Sequence, residues 1–135
     1  MKYIFLLLLL ISRQPQLQAQ TKLHFDGYYV TASDSLNPFR YYLRFYDDGT
    51  VIGCSTAGDP KNLLPWFKKD HKSPTKGNYS LKDTTVGFSL KSAEGLVNYQ
   101  GPVFGGNWLS LSVKSLINQY EAKEDYFFMK MEGLK

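Results

Sequence analysis

A chain of 135 residues with 16 basic and 12 acidic side chains, net charge +4, is long enough for one packed core. Two of the basic residues, Lys2 and Arg13, fall in the first twenty positions, so the remainder is nearly balanced. That balance excludes the clustered basic face of a nucleic-acid-binding protein. Lys68, Lys69, His71 and Lys72 form the one basic cluster, and it reads as a solvated loop. Cys54 is the single cysteine, which excludes an intrachain disulfide and leaves stability to the apolar core. In a strand it reads as a small buried hydrophobe, since no basic partner lies nearby to activate a thiol.

Residues 1–19 read as a signal peptide. Lys2 supplies the charge, Ile4–Ile11 the apolar region, and Leu17-Gln18-Ala19 a small-residue cleavage site. The apolar run is too short to cross a bilayer, which takes roughly 20 residues. The expectation is an exported chain, periplasmic or extracellular, with no stable transmembrane anchor after cleavage. Residues 20–135 then form a single domain.

The first strand is expected over Leu23–Ala32, with Phe25, Gly27 and Tyr29 on one face and Tyr28 and Val30 on the other. A polar loop, Ser33–Pro38, leads to the stretch that organises the fold. Arg40–Tyr46 and the β-branched run from Val51 are joined at Asp48-Gly49, a hairpin signal suited to a type I′ turn. Tyr41, Leu43 and Phe45 share one face, expected to point inward. Arg40, Tyr42, Arg44 and Tyr46 share the other, a Tyr/Arg face of the kind protein interfaces use.

Gly58–Lys72 breaks the strand pattern. Leu63, Leu64, Trp66 and Phe67 approach helical spacing, and Pro65 fits a first turn, so one or two helical turns are expected over residues 63–70. So much apolar surface needs cover. The expected place is one end of a barrel, as a plug or a gate, with Trp66 or Phe67 as anchor.

From Thr75 onward strands alternate with turns: Lys76–Leu81, Thr84–Lys91, Leu96–Val103, Trp108–Lys114 and Tyr126–Met131. Ser115–Glu124 is expected to be a longer connection. Turn signals recurring at roughly 8–12 residues are those of all-β sandwiches and barrels.

No glycine-rich phosphate loop, nucleophile elbow or zinc motif occurs, and most carboxylates sit at turns. His24 and Asp26, on one strand face, could pair as acid and base but read as exposed. The expectation is a non-enzymatic protein needing no cofactor or metal.

Gly27-Tyr28-Tyr29, the Phe45-Tyr-Asp-Asp-Gly-Thr50 hairpin, Gly77-Asn-Tyr79, Val86-Gly-Phe88, Tyr99-Gln-Gly101 and the closing Tyr126-Phe-Phe128 together resemble the small bacterial exported lipocalin-like proteins of the calycin group. The resemblance implies an antiparallel up-and-down barrel of about eight strands with a central cavity for a small apolar or amphipathic ligand. Tyr28-Tyr29 stands where lipocalins carry x-Trp, and Lys130 is a possible counterpart of the basic residue that packs over that aromatic. Candidate ligand contacts are Tyr29, Tyr41, Phe45, Trp66, Phe67 and Tyr99. The alternative is a structural or protein-interaction barrel with a filled interior and an exposed aromatic/Arg face, because eight strands enclose just enough room for either.

Overall fold

The computed structural model describes residues 22–71 and 75–134; the expected signal peptide lies outside the described residues. The chain is all-β. Eight antiparallel strands follow one another around a closed barrel: β1 Gly27–Thr31, β2 Arg40–Phe45, β3 Thr50–Thr56, β4 Thr75–Lys82, β5 Thr85–Ser92, β6 Gly95–Phe104, β7 Trp108–Ser115 and β8 Glu121–Lys130. Each strand pairs with its sequence neighbours, and β8 returns to β1 from Gly27↔Lys130 to Thr31↔Tyr126. Closure gives every strand a neighbour on both sides, so the sheet has no edge strand to template association with another chain, although β3 meets β4 over only part of its length.

Alternation decides what faces inward. Tyr29, Leu43, Phe45, Val51, Val86, Phe88, Leu90, Val103, Leu109, Leu111 and Tyr126 meet in one buried cluster inside the barrel. The inward assignment of Leu43 and Phe45 therefore holds. Strand β4 packs tightly on β5 at Gly77, where a Cβ would lie 1.8 Å from the Ser89 carbonyl oxygen. Gly101 meets the Ser110 carbonyl at 1.9 Å in the same way. Both positions therefore require a residue without a side chain.

The organising hairpin forms, with Arg40↔Thr56 through Phe45↔Val51 in register. Its turn differs from the expected type I′. Tyr46 pairs with Thr50 across a three-residue loop in which Gly49 alone takes the left-handed conformation, φ 94°. The Asp48 carboxylate accepts the Thr50 N–H and so favours this longer loop over a two-residue one.

The first strand is shorter than expected. Leu23–Asp26 leaves the ladder and folds across one end of the barrel, burying Leu23 in the interior cluster. The Tyr29 hydroxyl fixes it there, accepting the His24 N–H at 2.9 Å and donating to the Gly106 carbonyl at the β6–β7 turn. His24 lies against Phe128, ring centroids 4.5 Å apart, and Asp26 faces Lys130 at 4.0 Å. Neither residue is arranged as an acid–base pair. Lys130 is largely exposed and does not cover Tyr29; Phe128 does, at 5.3 Å between centroids.

The 58–71 segment lies between β3 and β4, as expected, but it covers the outer wall and not a barrel end. Its helical part is a 3₁₀ turn at Pro60–Leu63, capped by Asp59, whose carboxylate accepts the Lys61 N–H. Turns closed by Trp66 and Phe67 N–H groups on the Leu63 carbonyl follow. Phe67 and Leu63 join Tyr28, Val30, Tyr42, Tyr46, Ile52 and Leu134 in a second buried cluster outside the barrel. The physical reason is that β1, β2 and β3 carry apolar groups on both faces, so their outer face also needs cover. Arg44 points out of the barrel, as expected, yet is only 6% exposed because this segment lies over it. Its guanidinium donates to the Phe67 carbonyl at 2.8 Å and sits 4.4 Å from the Tyr46 ring centre. The Tyr/Arg face is thus an internal joint and not an exposed surface.

Candidate functional site

With Leu23–Asp26 across one end, the other end is open. Inside, the two halves differ. The closed half is filled by aromatic contacts: Phe45 meets Tyr29, Tyr79 and Phe88 edge-on at 5.5, 5.2 and 5.5 Å, and Phe88 stacks on Tyr99 at 4.8 Å. The open half holds a cavity of about 670 Å³, walled by Tyr41, Leu43, Leu90, Val97, Tyr99 and Tyr126. β3 pairs with β4 only as far as Gly53↔Thr75, and the cavity continues around the remaining end of β3 to Cys54, Leu63 and Trp66 of the outer segment. A second cavity of about 630 Å³ adjoins it beneath the β1–β2 and β7–β8 loops. Tyr41, Val97 and Tyr99 line both.

Gly53 keeps the first cavity open. A Cβ there would lie 2.5 Å from a Leu90 methyl. Burial pushes the Cys54 thiol up to about 11, so it stays protonated and unreactive near neutrality. At the inner wall Tyr126 donates its hydroxyl to the Glu124 carboxylate at 2.8 Å. Burial, with Glu124 nearby, raises Tyr126 far above the ordinary phenol value. Burial, then Glu124 and Tyr41, push Tyr99 up to about 12. Tyr99 and Tyr126 are therefore neutral hydrogen-bonding groups beside the Glu124 carboxylate. Apolar side chains exposed around the opening include Leu36, Phe39, Trp66, Leu116, Ile117 and Tyr120.

Of the six candidate contacts, Tyr41, Tyr99 and Trp66 line the open end. Tyr29 and Phe45 are completely buried in the filled half, and Phe67 is buried on the outer wall. These three line neither of the two cavities at the open end, because each is in contact with protein on every side. Tyr126 and Glu124 were not among the candidates. The alternation Ala122, Glu124, Tyr126, Phe128 carries the signal, but a strand starting at Tyr126 leaves Glu124 in a connection. β8 in fact starts at Glu121.

Among the described residues no group of three or more metal-ligating side chains occurs, and no helix is long and apolar enough to cross a membrane. The fold and site thus define a closed eight-stranded barrel with one plugged and one open end. Compared with protein-family models, curated proteins and solved structures, the chain matches none.

Proposed function

We propose that this chain is an exported, lipocalin-like, non-enzymatic protein that holds one small apolar or amphipathic molecule in the open half of its barrel. The observation that carries this reading is the cavity of about 670 Å³ above an aromatic floor. Its size lies inside the roughly 300–1,000 Å³ usual for small-molecule sites, and its make-up, mostly apolar with a few convergent polar groups, is that of such sites. The apolar rim supports it further, since a ligand leaving water crosses apolar surface on its way in.

The test is titration with the neutral, environment-sensitive dye N-phenyl-1-naphthylamine. Saturable one-to-one fluorescence enhancement is expected, and Val97→Trp, which fills the space both cavities share, abolishes it. A wild-type protein that binds no dye saturably refutes the proposal. Export is checked separately: the protein recovered outside the cytoplasm begins at Gln20 by mass spectrometry, and an intact Met1 terminus refutes cleavage.

A second reading, a protein-interaction barrel, takes its support from the outer wall. Phe104, Trp108 and Phe127 lie side by side and partly exposed, Trp108 centred 4.6 Å from Phe104 and 6.2 Å from Phe127. Self-association in sedimentation velocity that disappears in a Trp108→Ser/Phe127→Ser variant would favour it.

A further inference from the structure

The Asp, Glu, Lys, Arg and His side chains lining the two joined cavities are, among the described residues, all of one sign. Glu94 lines the first; Asp34, Glu124 and Asp125 line the second; among the described residues no Lys, Arg or His lines either. Composition does not explain this, since the chain has more basic than acidic residues. Asp34 and Glu94 stand in exposed loops at the rim, and Asp125 is exposed on β8, where it accepts the Trp108 indole N–H at 3.1 Å; each alone is worth little but together they bias the local potential.

Glu124 is different. It follows the inward phase of β8, two residues from the buried Tyr126 whose hydroxyl it accepts. Tyr126 also walls the first cavity, and Tyr41 and Tyr99 bring aromatic groups to both. A carboxylate among aromatic rings, with no competing cation along the described wall, suits one ligand charge. Ring faces attract a cation within about 6 Å of their centres, most strongly when water is excluded. An anion placed there would meet Glu124 with nothing on the described wall to neutralise either charge.

We infer that the molecule held in the barrel is cationic as well as apolar: an amine or quaternary ammonium headgroup seated against Glu124 and the Tyr41, Tyr99 and Tyr126 cluster, on an apolar body filling the cavity. This rests on the ligand-binding reading above and specifies its charge.

Matched ten-carbon probes test it. Decyltrimethylammonium, decanoate and 1-decanol are used to displace N-phenyl-1-naphthylamine from the intact protein. The cation is expected to displace dye at a concentration at least about tenfold below that of decanoate, the scale of one desolvated cation–aromatic contact plus a counter-charge. Glu124→Gln preserves an acceptor for Tyr126, and the melting temperature checks that it folds. In that variant the preference is expected to collapse while 1-decanol displacement is unchanged. Decanoate binding as well as the cation, or a preference that survives in Glu124→Gln, overturns the inference and leaves the ligand reading standing. Absence of any saturable dye binding overturns both.

Discussion

Tyr29, Phe67, Cys54 and Asp48 each play a part set by their immediate surroundings. The Tyr29 hydroxyl ties the Leu23–Asp26 plug to the β6–β7 turn, so Tyr29→Phe leaves the Gly106 carbonyl and the His24 N–H short of a partner. A loss of roughly 1–3 kcal/mol is expected in denaturant unfolding. Cys54 is expected to react with iodoacetamide at pH 8 at least about tenfold more slowly in the folded protein than in denaturant, because burial keeps it a thiol. Asp48 supplies a pH dependence. The Lys69 ammonium, 2.7 Å away, and the Thr50 N–H hold its carboxyl down at about 2 from an ordinary 3.8. A group depressed in the folded state stabilises above its unfolded value and loses that contribution as pH falls through the folded one. The melting-temperature advantage of the wild type over Asp48→Asn is therefore expected to shrink between pH 4 and pH 2, and a difference constant across that window would contradict it.

At the scale of the element, the 58–71 segment is held by a ring, a carbonyl and a charge. The Phe67 ring is buried in the outer cluster, its carbonyl takes donors from Arg44 and Tyr46, and Lys69 reaches Asp48 on the hairpin. Phe67→Ala is expected to cost about 3–5 kcal/mol in denaturant unfolding, the range for a buried aromatic. Trp66→Ala, at a residue 43% exposed, is expected to change stability by less than about 1 kcal/mol while weakening dye binding. Equal losses from the two would mean that the segment is held differently. In the wall itself, Gly101→Ala forces a Cβ against the Ser110 carbonyl and is expected to cost roughly 1–3 kcal/mol.

For the whole molecule, the choice between a filled and a hollow barrel is answered by halves. Eight strands leave room for one layer of large side chains or for a small ligand; here Tyr29, Phe45, Tyr79 and Phe88 fill the closed half while the other half stays open. A ligand confined to the open half raises stability only by mass action, about 2.7 kcal/mol at one hundred times its dissociation constant. Thermal unfolding of the dye-loaded protein is accordingly expected to shift upward with dye concentration, and the Val97→Trp variant to show no shift.

The sequence by itself determined that the chain is all-β, and it set the phase of the strands between the first and the last. Period-two alternation through Tyr41–Phe45, Val86–Leu90 and Leu109–Val113, punctuated by Asp-Gly, Ala-Glu-Gly and Gly-Gly-Asn, is local information, and a strand turns its side chains by it wherever one face is buried. The tertiary structure alone decided three things. Tyr28, Val30, Tyr42 and Ile52 made both faces of β1–β3 apolar, and alternation cannot say what covers a second apolar face; the 58–71 segment does. Leu23–Asp26 continues a strand-like pattern, yet closure of β1 onto β8 ends the ladder at Gly27 and frees those residues to plug the barrel. Glu124 looks like any turn carboxylate until β8 is seen to begin at Glu121, which turns it toward the cavity. Each depends on which strands meet across the barrel, and contacts between residues far apart in the chain leave no mark on local periodicity.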